Sequence, residues 1–293
     1  MIGRRTFVPW LFLVPGLAVA VAFYLVPFAN TLLLSFTDAR ALGGGQLTGL
    51  DNYARLLDDS AFWLALRNTL LYVVVVVPFM VVLPLLLALL VEKELPGIGF
   101  FRAVFYSPVV ASMVVVGLIW TWMLASDGLV NWVLRTLRVV NEPVGFLTDA
   151  QLLLFASMFV TVWKGVGYYM VIYLAALASV PKELHEAAQV DGATPLRRFF
   201  SITVPTIRPT MLLIGVLSAI AATKIFAEIY VLSNGSGGPG GQARSLVMYI
   251  REVGLGLGGE IGYASAISLV LFLVTIGFSL LFIRASRGEE DVA

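Results

Sequence analysis

Residues 181–209 read PKELHEAAQVDGATPLRRFFSITVPTIRP, a polar interval between two strongly apolar runs. Its punctuation predicts two short helices. Pro181 suits a first helical turn, and Lys182 to Val190 are good helix formers. Asp191-Gly192 ends that helix, because glycine accepts the left-handed turn of a C-cap. Thr194 then serves as an N-cap with Pro195 at the first helical position. Leu196, Phe199, Phe200 and Thr203 share a face of the second helix, and Pro205 is expected to stop it. Two helices meeting at a glycine form a compact knob with an apolar ridge. That shape suits lying on lipid headgroups and suits docking a protein equally well.

What flanks the knob decides the class of the chain. Of its 293 residues 59% are hydrophobic and 13% charged, with a mean hydropathy of +0.94. Soluble domains carry about 25% charged residues, so lipid must be the solvent for much of this surface. The net charge of +1 shows no basic stripe of the kind nucleic acid demands. The absence of cysteine excludes a disulfide framework, a thiolate nucleophile and a cysteine metal site. A lone histidine, His185, makes no metal site and reads as a surface residue of the first short helix.

Six apolar runs reach the length of about 20 residues that crosses hydrocarbon. They are 8–36, 68–91, 103–125, 151–178, 210–232 and 263–283. They are continuous rather than alternating, which predicts helices and not a barrel. A signal peptide is rejected for the first, because its apolar run continues well past the 7–15 residues of a signal core. Residues 52–65 add an amphipathic piece before the second run. The fold class is therefore an all-α membrane protein, read as a single transmembrane domain over 1–293.

Six crossings put both termini on one side. Ten Lys and Arg fall on that side, four of them within 181–209, against seven spread over the longer loops opposite. The positive-inside rule places the termini and residues 181–209 in the cytoplasm.

Glu186-Ala187-Ala188, then Gly192, then Ile202 and Pro205 resemble the EAA loop of ABC importer permeases. Asn52-Tyr53, Phe62-Trp63, residues 65–69, Gly237-Gly238-Pro239 and residues 262–266 extend the likeness along nearly the whole chain, to permeases of the MalF or UgpA type. Val204 stands where leucine is commoner. The long insertion of enterobacterial maltose permeases is absent, which leaves maltose itself unsupported. The resemblance implies a type I importer permease fold in a bacterial or archaeal inner membrane. It implies a non-catalytic subunit that pairs with a second permease subunit. Two ATP-binding subunits would dock on the loops, and an extracytoplasmic solute-binding protein would deliver a sugar. No G-x-x-x-x-G-K-[ST] occurs, so ATP and magnesium are expected on the partners and no cofactor in this chain. By the same resemblance Glu186 is the charged anchor of the loop, with Ala187 and Ala188 giving close approach. Asp191-Gly192 is the bend, and Phe199 and Phe200 hold the knob to the permease's own helices.

Lys164, Lys224 and Glu228 lie inside predicted spans, where a central charge costs about 2.5–3.5 kcal/mol and usually faces a cavity or a partner. Thr161, Lys164, Gly165 and Tyr168 share one face of the fourth run. Ser218, Ala221, Ala222, Ile225 and Glu228 make a stripe on the fifth. Lys224 and Glu228, four residues apart, are placed to pair on a continuous helix. The resemblance assigns the solute pathway to Thr161, Lys164, Gly165, Tyr168, Ser218, Ala222 and Ile225, with Glu228 on the same stripe. Tyr169 and Tyr168 offer aromatic faces. A structural ion pair is the plain alternative for the charges. Glycerol phosphate is the alternative solute, and a non-transporting scaffold that docks a cytoplasmic partner is the alternative of another class.

Overall fold

The computed structural model describes residues 8–93, 95–256 and 258–287. Arg4 and Arg5, counted above with the terminus-side charges, lie outside them, as does the side chain of Arg287. In chain order the helices are α1 (Val8–Ala20), α2 (Val26–Leu34), α3 (Asp51–Asp58), α4 (Ser60–Val91), α5 (Ile98–Val110), α6 (Met113–Leu124) and α7 (Leu129–Thr136). There follow α8 (Ala150–Ala178), α9 (Lys182–Val190), α10 (Pro195–Arg198), α11 (Val204–Thr223), α12 (Ala227–Leu232), α13 (Leu246–Gly254) and α14 (Ile261–Arg287). A π turn, Val21–Leu25, joins α1 to α2. Among the described residues the only β pairing is two isolated bridges, Thr37 with Leu47 and Arg40 with Glu260.

Six stretches are long and apolar enough to cross a membrane: Phe12–Leu34, Ser60–Val91, Met113–Thr136, Ala150–Ala178, Pro195–Thr223 and Ile261–Arg284. The chain is a multi-pass membrane protein. Three expectations need correction. The third run, 103–125, is not one helix. Ala111 is extended (ψ 141°), and the Ser112 hydroxyl accepts the amide of Val115 to start α6 afresh. The third apolar run is therefore α5 and then α6, and the stretch long enough to cross runs from α6 through α7, which carries Asn131 and Arg135 on an amphipathic turn. Pro205 does not stop the helix after Thr194. A π turn, Phe199–Thr203, carries it into α11 with Pro205 in that helix's first turn. Proline has no N–H and its ring crowds the carbonyl four residues back, and the wider π turn relieves both. The fifth run, 210–232, ends early: α11 stops at Thr223, Phe226 takes φ −147° and ψ −57°, and α12 begins at Ala227.

The contacts define two compact units, residues 1–62 with 249–273 and residues 63–248 with 274–293. In the first unit Asn52 Nδ2 donates to the carbonyls of Ser35 (2.9 Å) and Thr37 (2.8 Å), which anchors α3 to the chain leaving α2. Asp59 sits between α3 and α4. Its Oδ1 accepts the amides of Ala61 and Phe62, and its Oδ2 accepts the hydroxyls of Tyr249 and Tyr263. Arg55 lies 4.0 Å over the Tyr263 ring and pairs with Glu260 at 2.7 Å. Burial by itself raises the Asp59 carboxyl, but the two tyrosines and the two amides outweigh it and hold it below its ordinary value. A depressed carboxylate stabilises the fold above its unfolded pKa, and that contribution is lost as pH falls through the folded one. Purified protein is thus expected to keep its melting temperature through mildly acidic conditions and to lose it only below the usual carboxylate range. Asp59→Asn should flatten the dependence in thermal melts between about pH 7 and pH 3. An unchanged acid limb in that variant would assign it to other groups.

The second unit holds the larger core. Tyr72, Val76 and Met80 of α4 meet Met158, Tyr169 and Tyr173 of α8, and Ile207, Ile214 and Ala222 of α11. Tyr173 donates to the Val81 carbonyl at 2.9 Å. The last turn of α4 is capped by Arg102, whose guanidinium reaches the carbonyls of Val91 and Glu92. Such carbonyls have no partner within their own helix. Gly167 lets α5 lie directly on α8, since a Cβ there would stand 2.1 Å from the Phe105 carbonyl oxygen. Close backbone approach through small residues is how helices pack where lipid offers no hydrophobic drive.

Candidate functional site

The break between α11 and α12 opens a cavity of ≈ 300 Å³. Val76 and Met80 of α4 line it, with Thr161 and Tyr169 of α8 and Ser218, Ala221 and Ala222 of α11. Residues Lys224 to Glu228, through the break itself, complete the wall. The mean character is apolar, with hydroxyl, phenol, ammonium and carboxylate groups at a few points. That is the usual make-up of a small-molecule site, and the volume sits at the lower end of the usual range of about 300–1,000 Å³. Thr161 Oγ1 and the Tyr72 hydroxyl are 2.7 Å apart and tie α4 to α8 beside it.

Of the residues assigned to a solute pathway, Thr161, Ser218, Ala222, Ile225 and Glu228 converge here. Lys164, Gly165 and Tyr168 do not. Lys164 Nζ donates to the carbonyl of Val109 at 3.4 Å, where α5 is about to break. A cation at a helix C-terminus satisfies orphan carbonyls and the helix dipole together. Gly165 lies behind the wall, against Met80, whose methyl would stand 2.5 Å from a Cβ there. Tyr168 is half exposed and packs edge-on against Tyr169, ring centres 5.2 Å apart, so Tyr169 presents the aromatic face to the cavity. The expected Lys224–Glu228 pair is absent. Lys224 caps α11 and Glu228 belongs to the first turn of α12, so the continuous turn that brings residues four apart together is missing. Tyr72, Val76 and Met80 were not anticipated. Their spacing of four residues along the second apolar run is the signal that could have placed them on one face.

Residues 181–209 form the expected bend. Gly192 has φ +77°, its amide donates to the Gln189 carbonyl at 3.1 Å, and the amide of Ala193 donates to that of Ala188 at 2.8 Å. This paired arrangement is a Schellman cap. Thr194 Oγ1 accepts the amide of Arg197 at 3.3 Å, the predicted N-cap. Glu186, Ala187, Asp191, Gly192 and Pro205 are exposed and Ala188 is partly so. Phe199 packs against the core, whereas Phe200 is 61% exposed and does not. Leu196, expected on the same face, is also exposed, at 68%. His185, read as a plain surface residue, instead holds the bend together. Its carbonyl accepts from Arg198 at 3.4 Å, and its Nε2 is 3.5 Å from the Thr203 hydroxyl.

Residues 62–286 match the family model of binding-protein-dependent transport system inner membrane components. The chain belongs to this family. As an inner membrane component it is similar along almost its entire length to characterised members. It is 33% identical to the lactose transport system permease protein LacF of Rhizobium radiobacter, covering 96% of this chain and 94% of that one. It is 32% identical to the trehalose/maltose transport system permease protein MalF of Thermococcus litoralis, covering 98% and 96%. A chain from the crystal structure of a bacterial ABC transporter involved in importing the acidic polysaccharide alginate superposes with a TM-score of 0.82. It is 26% identical and covers 97% of this chain and 96% of that one. The fold of this inner membrane component is thus that of the type I importer permeases.

Proposed function

We propose that the chain is a permease subunit of an ATP-driven carbohydrate importer, with the ≈ 300 Å³ cavity at the α11–α12 break as its part of the solute pathway. The observation that carries this reading is the cavity's composition. Thr161, Ser218 and Glu228 offer partners to sugar hydroxyls, and Tyr169 offers a ring face. Substrate sites at interrupted membrane helices are a recurring transporter design. Relatives named for lactose and for trehalose and maltose support the solute class. The wall also holds Lys224, which favours an anionic sugar or sugar phosphate as the second reading.

In this account the subunit is non-catalytic. A second permease subunit completes the pathway, and two ATP-binding subunits carry ATP and magnesium. A solute-binding protein delivers the sugar from outside, a partner supported by a related transporter solved with its periplasmic protein. Residues 181–209 lie in the cytoplasm with the termini, as the Lys and Arg distribution favours. The bend there is the ATPase docking knob. Val190 at 89% exposure and Leu196 and Phe200 beside it leave apolar surface on a polar loop, which a protein partner would cover.

Titrating the cognate solute-binding protein by calorimetry with lactose, maltose, trehalose, glycerol phosphate and a set of amino acids tests the solute class. Saturable binding of a sugar is the expected result. Saturable binding of an amino acid, with no carbohydrate bound, would remove the carbohydrate reading.

A further inference from the structure

The α11–α12 break leaves the Ile225 carbonyl without the amide of residue 229 that a continuous helix would supply. In a buried apolar setting such a group requires another donor. It has one. Ser245, fully buried, donates its hydroxyl to the Ile225 carbonyl at 2.6 Å. Ser245 Oγ also accepts the amide of Met248 at 3.2 Å, capping the start of α13. Helix α4 grips the same short strap. Asn68 Nδ2 donates to the carbonyls of Gln242 (2.8 Å) and Arg244 (3.0 Å), and Thr69 Oγ1 accepts the amide of Leu246 at 2.9 Å. Thr69 and Leu246 are fully buried and Asn68 nearly so. The Asn68 and Thr69 bonds hold the strap from more than 170 residues away in sequence, and Ser245, within that strap, reaches Ile225, the last residue but one before α12.

The geometry points to residues 242–246 as a clamp, with Ser245, Asn68 and Thr69 as positioning residues that fix the angle of α12 and so the far wall of the solute cavity. Ser245 does not line that cavity; it acts through Ile225, Ala227 and Glu228, which do. Because 242–245 is the loop that leads into α13, whatever bears on that loop also bears on the cavity wall. The clamp rests on the reading of the cavity as a solute pathway.

The chain contains no cysteine, so each introduced cysteine is this subunit's single thiol. Ala227→Cys sits on the wall after the break and Ala221→Cys on the intact helix before it. Each is reacted with 2-sulfonatoethyl methanethiosulfonate in the full transporter complex, with and without Ser245→Ala. An unpaired buried carbonyl is costly enough to shift such an equilibrium about fivefold or more. The expected result is that Ser245→Ala changes the reaction rate at Ala227→Cys by about that factor and at Ala221→Cys by less than about twofold. Thr69→Val should act like Ser245→Ala, and Thr69→Ser should restore the parent rate. Equal changes at both cysteines would mean general loosening and would overturn the clamp, as would no change at either. Failure of both cysteines to react in the parent complex would remove the cavity reading itself.

Discussion

Gly192→Pro and Glu186→Lys should each abolish solute-stimulated ATP hydrolysis and uptake while the protein still inserts and assembles. The two act on one surface by different physics. Gly192 holds φ +77° in the Schellman cap, and proline is fixed near −65° and has no amide for the Gln189 carbonyl. The bend between α9 and α10 cannot form as it stands. Glu186 is exposed, so reversing its charge should cost the fold no more than about 0.5 kcal/mol. A loss of coupling there must come from a partner's surface. Measuring ATPase activity of the purified complex, with membrane insertion as the control, separates the effects. Normal coupling in Glu186→Lys would return the knob to the headgroup reading that its arginines and apolar ridge equally allow.

The second large effect is expected at the cavity. Ala222 is buried at 3% exposure and forms part of the wall, and tryptophan there would occupy the space that a solute needs. Ala222→Trp should reduce uptake below about a tenth of the parent value while solute-binding protein still associates with the complex. Glu228→Gln keeps the shape of the side chain and removes its charge. A hydrogen bond to a charged group contributes about 1.5–3 kcal/mol, so half-saturation should rise about 10–100-fold with the maximal rate little changed. Lys164→Met gives the contrast. Its ammonium holds the Val109 carbonyl and stands off the cavity, so its loss should lower thermal stability more than solute affinity. If Glu228→Gln leaves half-saturation untouched and Lys164→Met raises it sharply, the roles drawn for the two charges are reversed.

The six crossings were legible because hydropathy over about 20 residues is a strong signal, and the bend at 191–195 because glycine and Thr-Pro have few other uses. The two helix breaks were not. Ala111-Ser112 and Lys224 to Phe226 contain neither glycine nor proline, and the apolar runs continue on both sides of each. Their causes lie elsewhere in the chain. The carbonyl freed near Ala111 is met by Lys164, 55 residues on from Val109, and that freed at Ile225 by Ser245, 20 residues on. Local sequence carries no trace of a partner at that distance. For the same reason Lys164 was placed on the solute face by helical phase alone, and Lys224 and Glu228 were paired across a turn that does not exist. The continuation of the helix through Pro205 was hidden similarly, since a π turn accommodates proline where an α turn would end.

Uptake into proteoliposomes tests the whole account most directly. The chain would be reconstituted with its partner permease, both ATP-binding subunits and the solute-binding protein loaded with the sugar identified by calorimetry. The account predicts ATP-dependent accumulation of that sugar, lost when Gly192→Pro replaces the parent chain. A complex that assembles and hydrolyses ATP but accumulates no carbohydrate would contradict it.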